Sequence, residues 1–214
     1  AAGFISASVH ASMAGETGRP GNVTLPNGRH VPYIPVKADK EQALAGEALR
    51  DLHLGGEWNL SEVSALEPGR IAELASEAGI VGLGGAAFPT HVKLIRNEAK
   101  PVEVLLLNGC ECEPYLTADY RLMMEAPGAV VAGGLLAGRA NGARRVVICV
   151  EDNKPLAVEA LREAAEGTGI EVRVLPTKYP QGGERSLAVA VLGRAVPTGQ
   201  LPLEVGAVVM NVAT

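Results

Sequence analysis

The chain has 214 residues, 47% of them hydrophobic but only 3% aromatic, with 26 glycines and a formal net charge of −5. That length supports one good core with a small appendage. The charge is spread along the chain and no basic run exceeds Arg144-Arg145, which argues against a nucleic-acid partner. The longest apolar stretch, Gly128 to Gly138, is too short to span a bilayer and reads as a buried helix. There is no signal peptide and no initiator Met, and the first residues read as mid-domain strand, so an excised piece of a longer protein is expected. Three cysteines, two of them in Cys110-x-Cys112, suggest a reducing compartment. Two thiolates and a distant Cys149 cannot supply four cluster ligands, so no metal site is expected. His10, His30, His53 and His91 show no ligand spacing and are read as surface or packing residues.

Residues 1–36 read as short β segments ("GFISASVHA", "GETG", "GNVTL", "GRHVPYI") punctuated by Gly and Pro. Residues 37–66 are polar and mixed, and read as a connector with little regular structure. From Glu67, "EPGRIAELASEAG" predicts a helix on the spacing Ile71, Leu74, Ala78, stopped at Gly79. A glycine run follows, then a helix from about Pro89 to Arg96. "VEVLLLNG" (102–109) predicts a strand buried on both faces. "TADYRLMMEAPGAVVAGGLLAGRANG" predicts two helical pieces broken at Pro127, and "RRVVICVED" a second buried strand. An amphipathic helix in "NKPLAVEALREAAEGTG", a strand "IEVRVLP", a helix in "GGERSLAVAVLGR" and a last strand "EVGAVVMNV" complete the order. The alternation predicts an α/β fold, a mostly parallel sheet flanked by helices, over residues 67–214.

Ligands of such sheets bind at the carboxyl ends of the strands. Those ends offer Asn108-Gly-Cys-Glu111-Cys-Glu113, Glu151-Asp152-Asn153, Tyr179-Pro-Gln-Gly182-Gly183-Glu184 and Asn211. The glycine run "GIVGLGGAAFPTHVKL" could cradle a phosphate or a flat ring on bare amides, or could serve tight helix–strand packing. Its Gly82-x-Gly84-Gly85 is neither the dinucleotide fingerprint nor a nucleotide P-loop.

"GLGGAAFPTHVK" resembles the flavin loop of the flavin-binding subunit of respiratory complex I, whose pattern is G-x-G-G-A-G-F-P-T-x-x-K. Together with "NGCECEPYLTADYRLMME", "VEDNKP", "KYPQGGERSL" and "GAVVMNVAT", the chain is more similar still to the C subunit of Rnf-type electron transport complexes, from about Gly3 to Thr214. The opening "GFISASVHASMAGETG" resembles the last part of that subunit's barrel-sandwich domain, so residues 1–36 are expected to be a partial barrel-sandwich β segment.

The resemblance implies noncovalent FMN and NADH as substrate, the flavin taking a hydride and passing single electrons to iron–sulfur clusters. Carried over by position, Gly82, Gly84, Gly85, Lys93, Asn108, Glu111, Tyr179, Gly182, Gly183 and Asn211 would hold the cofactor, and Phe88, Glu113 and Glu184 would meet NADH. The 4Fe-4S clusters would lie in a C-terminal part beyond Thr214, since no C-x-x-C-x-x-C run is present. Implied partners are the other subunits of a membrane-bound complex and, indirectly, ferredoxin or flavodoxin. The implied location is peripheral, on the cytoplasmic face of the bacterial inner membrane, where the complex couples electron flow to ion translocation.

Departures from the complex I pattern are Cys110 in place of an acid, a single acid at Gly183-Glu184 and Met210 before Asn211. They leave the NADH contacts less defined than the flavin loop. A cobalamin reductase-type flavoprotein of a diol-degrading compartment shares the glycine loop, and a non-enzymatic scaffold with a lost flavin site is the reading from another class.

Overall fold

The computed structural model describes residues 3–42, 46–49 and 60–214. They form two compact units, one of residues 3–8 with 60–214 and one of residues 9–42 with 46–49. His53 lies outside the described residues.

The smaller unit holds two antiparallel pairs. Strand β1 (Gly15–Thr17) pairs with β4 (Val36–Ala38), and β2 (Gly21–Thr24) pairs with β3 (His30–Tyr33). Gly28 sits at φ 80° in the turn between β2 and β3, a left-handed conformation that glycine adopts without steric cost. The expected opening strand at "GFISASVHA" is not formed: residues 3–11 are bends and irregular chain, with no ladder partner among the described residues. The backbone there is tied by other groups. The Phe4 carbonyl accepts from His91 Nε2 at 3.1 Å, and the two rings meet edge to face at 6.1 Å. Inside the stretch read as irregular, β4 forms because β1 offers it a ladder, and helix α1 (Leu60–Ala65) forms with Val63 buried.

The larger unit follows the predicted alternation. Helix α2 (Pro68–Glu77) starts on a proline, and Gly79 lies just beyond it at φ 69°. Its buried stripe is Ile71 and Ala75, one turn apart, whereas Leu74 is 39% exposed. The expected Ile71–Leu74–Ala78 face is therefore rotated toward Ala75. Helix α3 (Thr90–Leu94) stops before the expected Arg96 because Ile95 is extended (ψ 127°). Asn97 then turns the chain by accepting from the Ala99 and Lys100 amides.

Strand β5 (Val104–Gly109), helices α4 (Ala118–Glu125) and α5 (Pro127–Asn141), β6 (Arg145–Glu151), α6 (Pro155–Ala164), β7 (Glu171–Leu175), α7 (Glu184–Leu192) and β8 (Ala207–Asn211) complete the domain. The sheet is fully parallel in the order β7-β6-β5-β8. Alternation along the strands divides the core. Leu105, Leu107, Ile148 and Val150 pack with residues of α4, α5 and α6 on one face. Val104, Leu106, Val147, Cys149 and Val209 pack with Leu187, Val191 and Leu192 of α7 on the other. The glycine and alanine content follows from this closeness. A Cβ at Gly134 of α5 would come within 2.7 Å of Leu107, and one at Gly138 within 2.6 Å of Val146.

The topology creates the place for a site. From β5 the chain steps to β6 and β7 with its helices on one face. It then returns over the other face through α7 and adds β8 on the far side of β5. The reversal puts a switch point between the carboxyl ends of β5 and β8, where connections diverge and leave a crevice.

Candidate functional site

A cleft of about 230 Å³ opens at this switch point. The glycine run forms one wall. Its two arms are joined by a bridge between Val81 and Pro89, by the Gly82 amide donating to the Phe88 carbonyl (2.8 Å) and by the Thr90 amide donating to the Ile80 carbonyl (3.0 Å). Between the arms the chain bulges outward. The Leu83 amide donates to Thr214 Oγ1 at 3.0 Å, which pins the bulge to the end of β8. Among the described residues, the amides of Gly84, Gly85, Ala86 and Ala87 have no hydrogen-bond acceptor in good geometry, the turn over residues 83–86 being only weakly closed. Four successive uncommitted donors on an exposed loop form a surface suited to acceptor atoms of a ligand. Gly85 lies at φ 107° and Ala87 at φ 48°, so the bulge needs left-handed backbone twice. The complex I pattern has glycine where Ala87 stands.

Lys93, on α3, reaches from below this loop. Its Nζ donates to the Val209 carbonyl of edge strand β8 (2.7 Å) and to Glu184 Oε1 (3.0 Å), and lies 6.0 Å from the centre of the Phe88 ring. Thr90, one turn earlier, lines the same cleft with a buried hydroxyl that has no partner among the described residues.

The floor comes from two asparagines that are register partners on β5 and β8, Asn108 and Asn211. Asn108 Nδ2 donates to the Gly182 carbonyl at 2.8 Å, and its Oδ1 accepts from the Cys110 amide at 3.0 Å. It thus ties the loop after β5 to the loop before α7. Cys112 reinforces the tie, its Sγ accepting from the Gly182 amide at 2.9 Å. A Cβ on Gly182 would sit 2.4 Å from the Cys110 carbonyl oxygen, so this contact requires glycine. Asn211 Nδ2 donates to Asp119 Oδ2 at 2.7 Å, and its Oδ1 accepts from the Ala213 amide at 2.8 Å.

The structure brings Gly82, Gly84, Phe88, Lys93, Asn108, Gly182, Gly183, Glu184 and Asn211 into one lining. Gly85 belongs to the loop but not to the lining. Three other candidates stand outside it. The Glu111 carboxylate accepts from the amides of Asp119 (2.9 Å) and Tyr120 (3.4 Å), holding the first turn of α4. Glu113 and Tyr179 are exposed, Tyr179 at 76%, on the same two loops that carry Cys110 and Gly182.

The lining also includes Ala86, Ala87, Thr90, Met210 and Thr214, which sequence reasoning did not select. Thr90 sits inside the "FPT" of the glycine motif, which could have flagged it. Asp119, bonded to Asn211, could have been found as the acid opening the helix in "TADYR".

The third strand end is occupied by its own bonds. Glu151 is 2% exposed and pairs with Lys154 at 3.4 Å, and Asp152 Oδ1 accepts from the Thr177 amide and hydroxyl. These groups brace the end of β6 to the start of α6 and to the chain beyond β7.

Burial holds the thiols protonated: Cys149 is pushed up to about 12, and Cys110 higher still with Cys149 and Glu151 adding to it. Burial also raises Asp119 above the ordinary aspartate value, partly offset by the Asn211 bond and reinforced by Glu111. Among the described residues no group of three or more His, Cys, Asp or Glu could hold a metal ion.

The donor set suits FMN. Its dianionic phosphate matches loop amides and a lysine, and its polar ring edge matches side-chain amides. Its flat ring matches a wall without side chains beside Phe88. The cleft is small against the roughly 300–1,000 Å³ of common ligand pockets, so it would enclose only part of such a molecule.

Comparison with known proteins agrees with this chemistry. Residues 75–214 match the family model of the Nuo51 FMN-binding domain. The chain is 43% identical over 211 residues to the C subunit of the proton-translocating ferredoxin:NAD(+) oxidoreductase complex of Clostridium ljungdahlii, covering 99% of this chain and 44% of that protein. It is 42% identical over 213 residues to the Na(+)-translocating counterpart of Acetobacterium woodii, covering 99% and 46%. The chain thus spans less than half the length of these curated relatives. Among solved structures, an NAD+-reducing [NiFe]-hydrogenase in the H2-reduced state is similar with a TM-score of 0.64 and 26% identity, over 78% of this chain and 33% of that one.

Proposed function

The chain belongs to the Nuo51 FMN-binding domain family, and from that premise we propose that it binds FMN noncovalently in the β5–β8 cleft, accepts electrons from NADH and serves an ion-translocating NADH:ferredoxin oxidoreductase. One observation carries the reading. A glycine loop that lines the cleft with Gly84, Ala86 and Ala87, a lysine and two strand-end asparagines converge on one cleft at the switch point.

When bound, FMN supplies the redox chemistry, accepting electrons in pairs and releasing them singly. The chain's residues supply the rest. Gly84, Gly85, Ala86 and Ala87 offer amides, and Lys93 a cation that Glu184 and Val209 already hold in position. Gly82 keeps the loop paired to Phe88, whose ring gives a flat apolar contact. Among the described residues, Asn108 and Asn211 each keep an uncommitted N–H for a carbonyl of the ring edge. Gly182 and Gly183 close the second side, and Glu111 contributes through the helix it holds. Glu184 at the cleft, and Glu113 and Tyr179 on the adjoining loops, would meet NADH, the carboxylates accepting from ribose hydroxyls or a carboxamide.

Onward transfer to 4Fe-4S clusters is proposed for segments of the relatives beyond the matched region. The partners are then the other subunits of the complex, and ferredoxin or flavodoxin through them. Peripheral attachment at the cytoplasmic face of the inner membrane goes with this reading, and no described helix is long and apolar enough to cross a membrane. Residues 67–214 are proposed as the flavin domain, 37–66 as a connector and 1–36 as part of a barrel-sandwich domain. The test is anaerobic titration of the FMN-loaded protein with NADH. Stoichiometric loss of oxidised-flavin absorbance is expected, and bound FMN that NADH leaves unbleached would remove NADH from the proposal.

A further inference from the structure

Asn211 lines the cleft, yet most of its amide is already engaged. Its Oδ1 accepts from the Ala213 amide at 2.8 Å and its Nδ2 donates one hydrogen to Asp119 Oδ2 at 2.7 Å. These bonds fix which end is which, because a flipped amide would set NH2 against an N–H and oxygen against a carboxylate. What remains is one N–H on Nδ2. Asp119 does not itself line the cleft. Its place is set from behind by Glu111, which accepts from the Asp119 amide at 2.9 Å and anchors the start of α4. A chain of three groups, Glu111, Asp119 and Asn211, thus runs from the loop after β5 to the end of β8.

We propose that Asp119 is a positioning residue that orients and polarises the Asn211 amide so that it presents an N–H donor to the cleft. The inference rests on the FMN reading and extends it: the atom facing Asn211 is a hydrogen-bond acceptor, as the carbonyls of a flavin's pyrimidine edge are. A carboxylate accepting from one hydrogen of an NH2 strengthens this end as an anchor and holds the rotamer. Without Asp119, the bond from the Ala213 amide is the one hydrogen bond left to the side chain among the described residues.

The groups facing Asp119 are Asn211 from β8, Glu111 and Glu113 from the loop after β5, and Lys154 at the start of α6. Glu111 and Glu113 push its carboxyl further up, and Lys154 pulls it down. On protonation the carboxyl becomes a weaker acceptor, so FMN affinity should fall as pH drops through a midpoint above the ordinary 3.8.

The experiment is a double-mutant cycle on the FMN dissociation constant, with Asp119→Ala, Asn211→Ala and the pair. Each single change should weaken FMN by about 3–10-fold, the worth of one neutral hydrogen bond, and the pair should bind no worse than Asn211→Ala alone. Effects that multiply in the pair, or an Asp119→Ala constant within twofold of the parent, would overturn the assignment. Asp119→Asn keeps an acceptor of the same shape and covers the case in which the alanine variant does not fold. It should bind within about threefold of the parent near neutral pH and lose the part of the acid limb that the FMN phosphate, which takes a proton at about pH 6, does not account for. An acid limb identical in the parent and in Asp119→Asn would overturn the role given to the Asp119 carboxylate. A parent protein that fails to bind FMN at all would instead refute the proposed function.

Discussion

Ala87 sits in left-handed backbone at φ 48°, inside a loop whose other such residue is a glycine. For an L-residue this conformation costs about 1–2 kcal/mol, against about 0.5–1 kcal/mol for the greater entropy a glycine loses on folding. Ala87→Gly should therefore stabilise the fold by roughly 0.5–1 kcal/mol, read as a rise of about 1–4 °C in melting temperature. A lower melting temperature would mean that the Ala87 methyl group packs usefully. Lys93 shows a second feature of single residues here, a side chain with two duties. It satisfies the Val209 carbonyl on an edge strand and points its charge into the cleft. Lys93→Ala should weaken FMN by about 1–3 kcal/mol, the range of a charged hydrogen bond. It should also cost the fold about 1–3 kcal/mol, because the Val209 carbonyl of a buried residue loses its donor, while the partly exposed Glu184 pair adds little. An unchanged dissociation constant, measured by equilibrium titration, would take Lys93 out of the site.

At the scale of elements, the buried strands were the most legible part of the sequence. "VLLL" and "VVICV" have too many apolar residues in succession for anything but a strand covered on both faces, and the register pairs them directly. The break at Pro127 was legible for the same kind of reason, since proline removes the donor that a continuous helix needs. What could not be read was anything decided by a distant partner. Residues 3–11 have strand composition and no ladder, while Val36–Ala38 is a strand only because Gly15–Thr17 lies alongside. Leu74 and Ala75 are equally good helix residues, and only the position of the neighbouring helices makes Ala75 the buried one. The site shows the same division. Glycines and a lysine in fixed order were visible, but the chain Glu111–Asp119–Asn211 joins residues 92 positions apart at its longest step. Gly182 belongs to this class: its role is the close approach to Cys110. Gly182→Ala would force that loop apart at a cost of about 1–3 kcal/mol, and FMN affinity should fall with it. Native stability together with unchanged affinity, from denaturant melts and flavin titration, would show that the two loops move independently.

For the molecule as a whole, the reversal of strand order at β5 organises everything else. It divides the core between two sheet faces, leaves β8 as an edge whose carbonyl Lys93 can reach, and brings the glycine loop, the strand-end asparagines and the loop before α7 to one crevice. The low aromatic content follows from the same plan, because small residues let α5 lie close on the sheet. The central claim is that this crevice is a flavin site. The most direct measurement is titration of FMN with the purified protein, followed by flavin fluorescence. The account predicts saturable quenching at micromolar protein, lost when Gly84, a wall residue facing Asn211, is replaced by valine. FMN fluorescence that stays unchanged across the titration would contradict it.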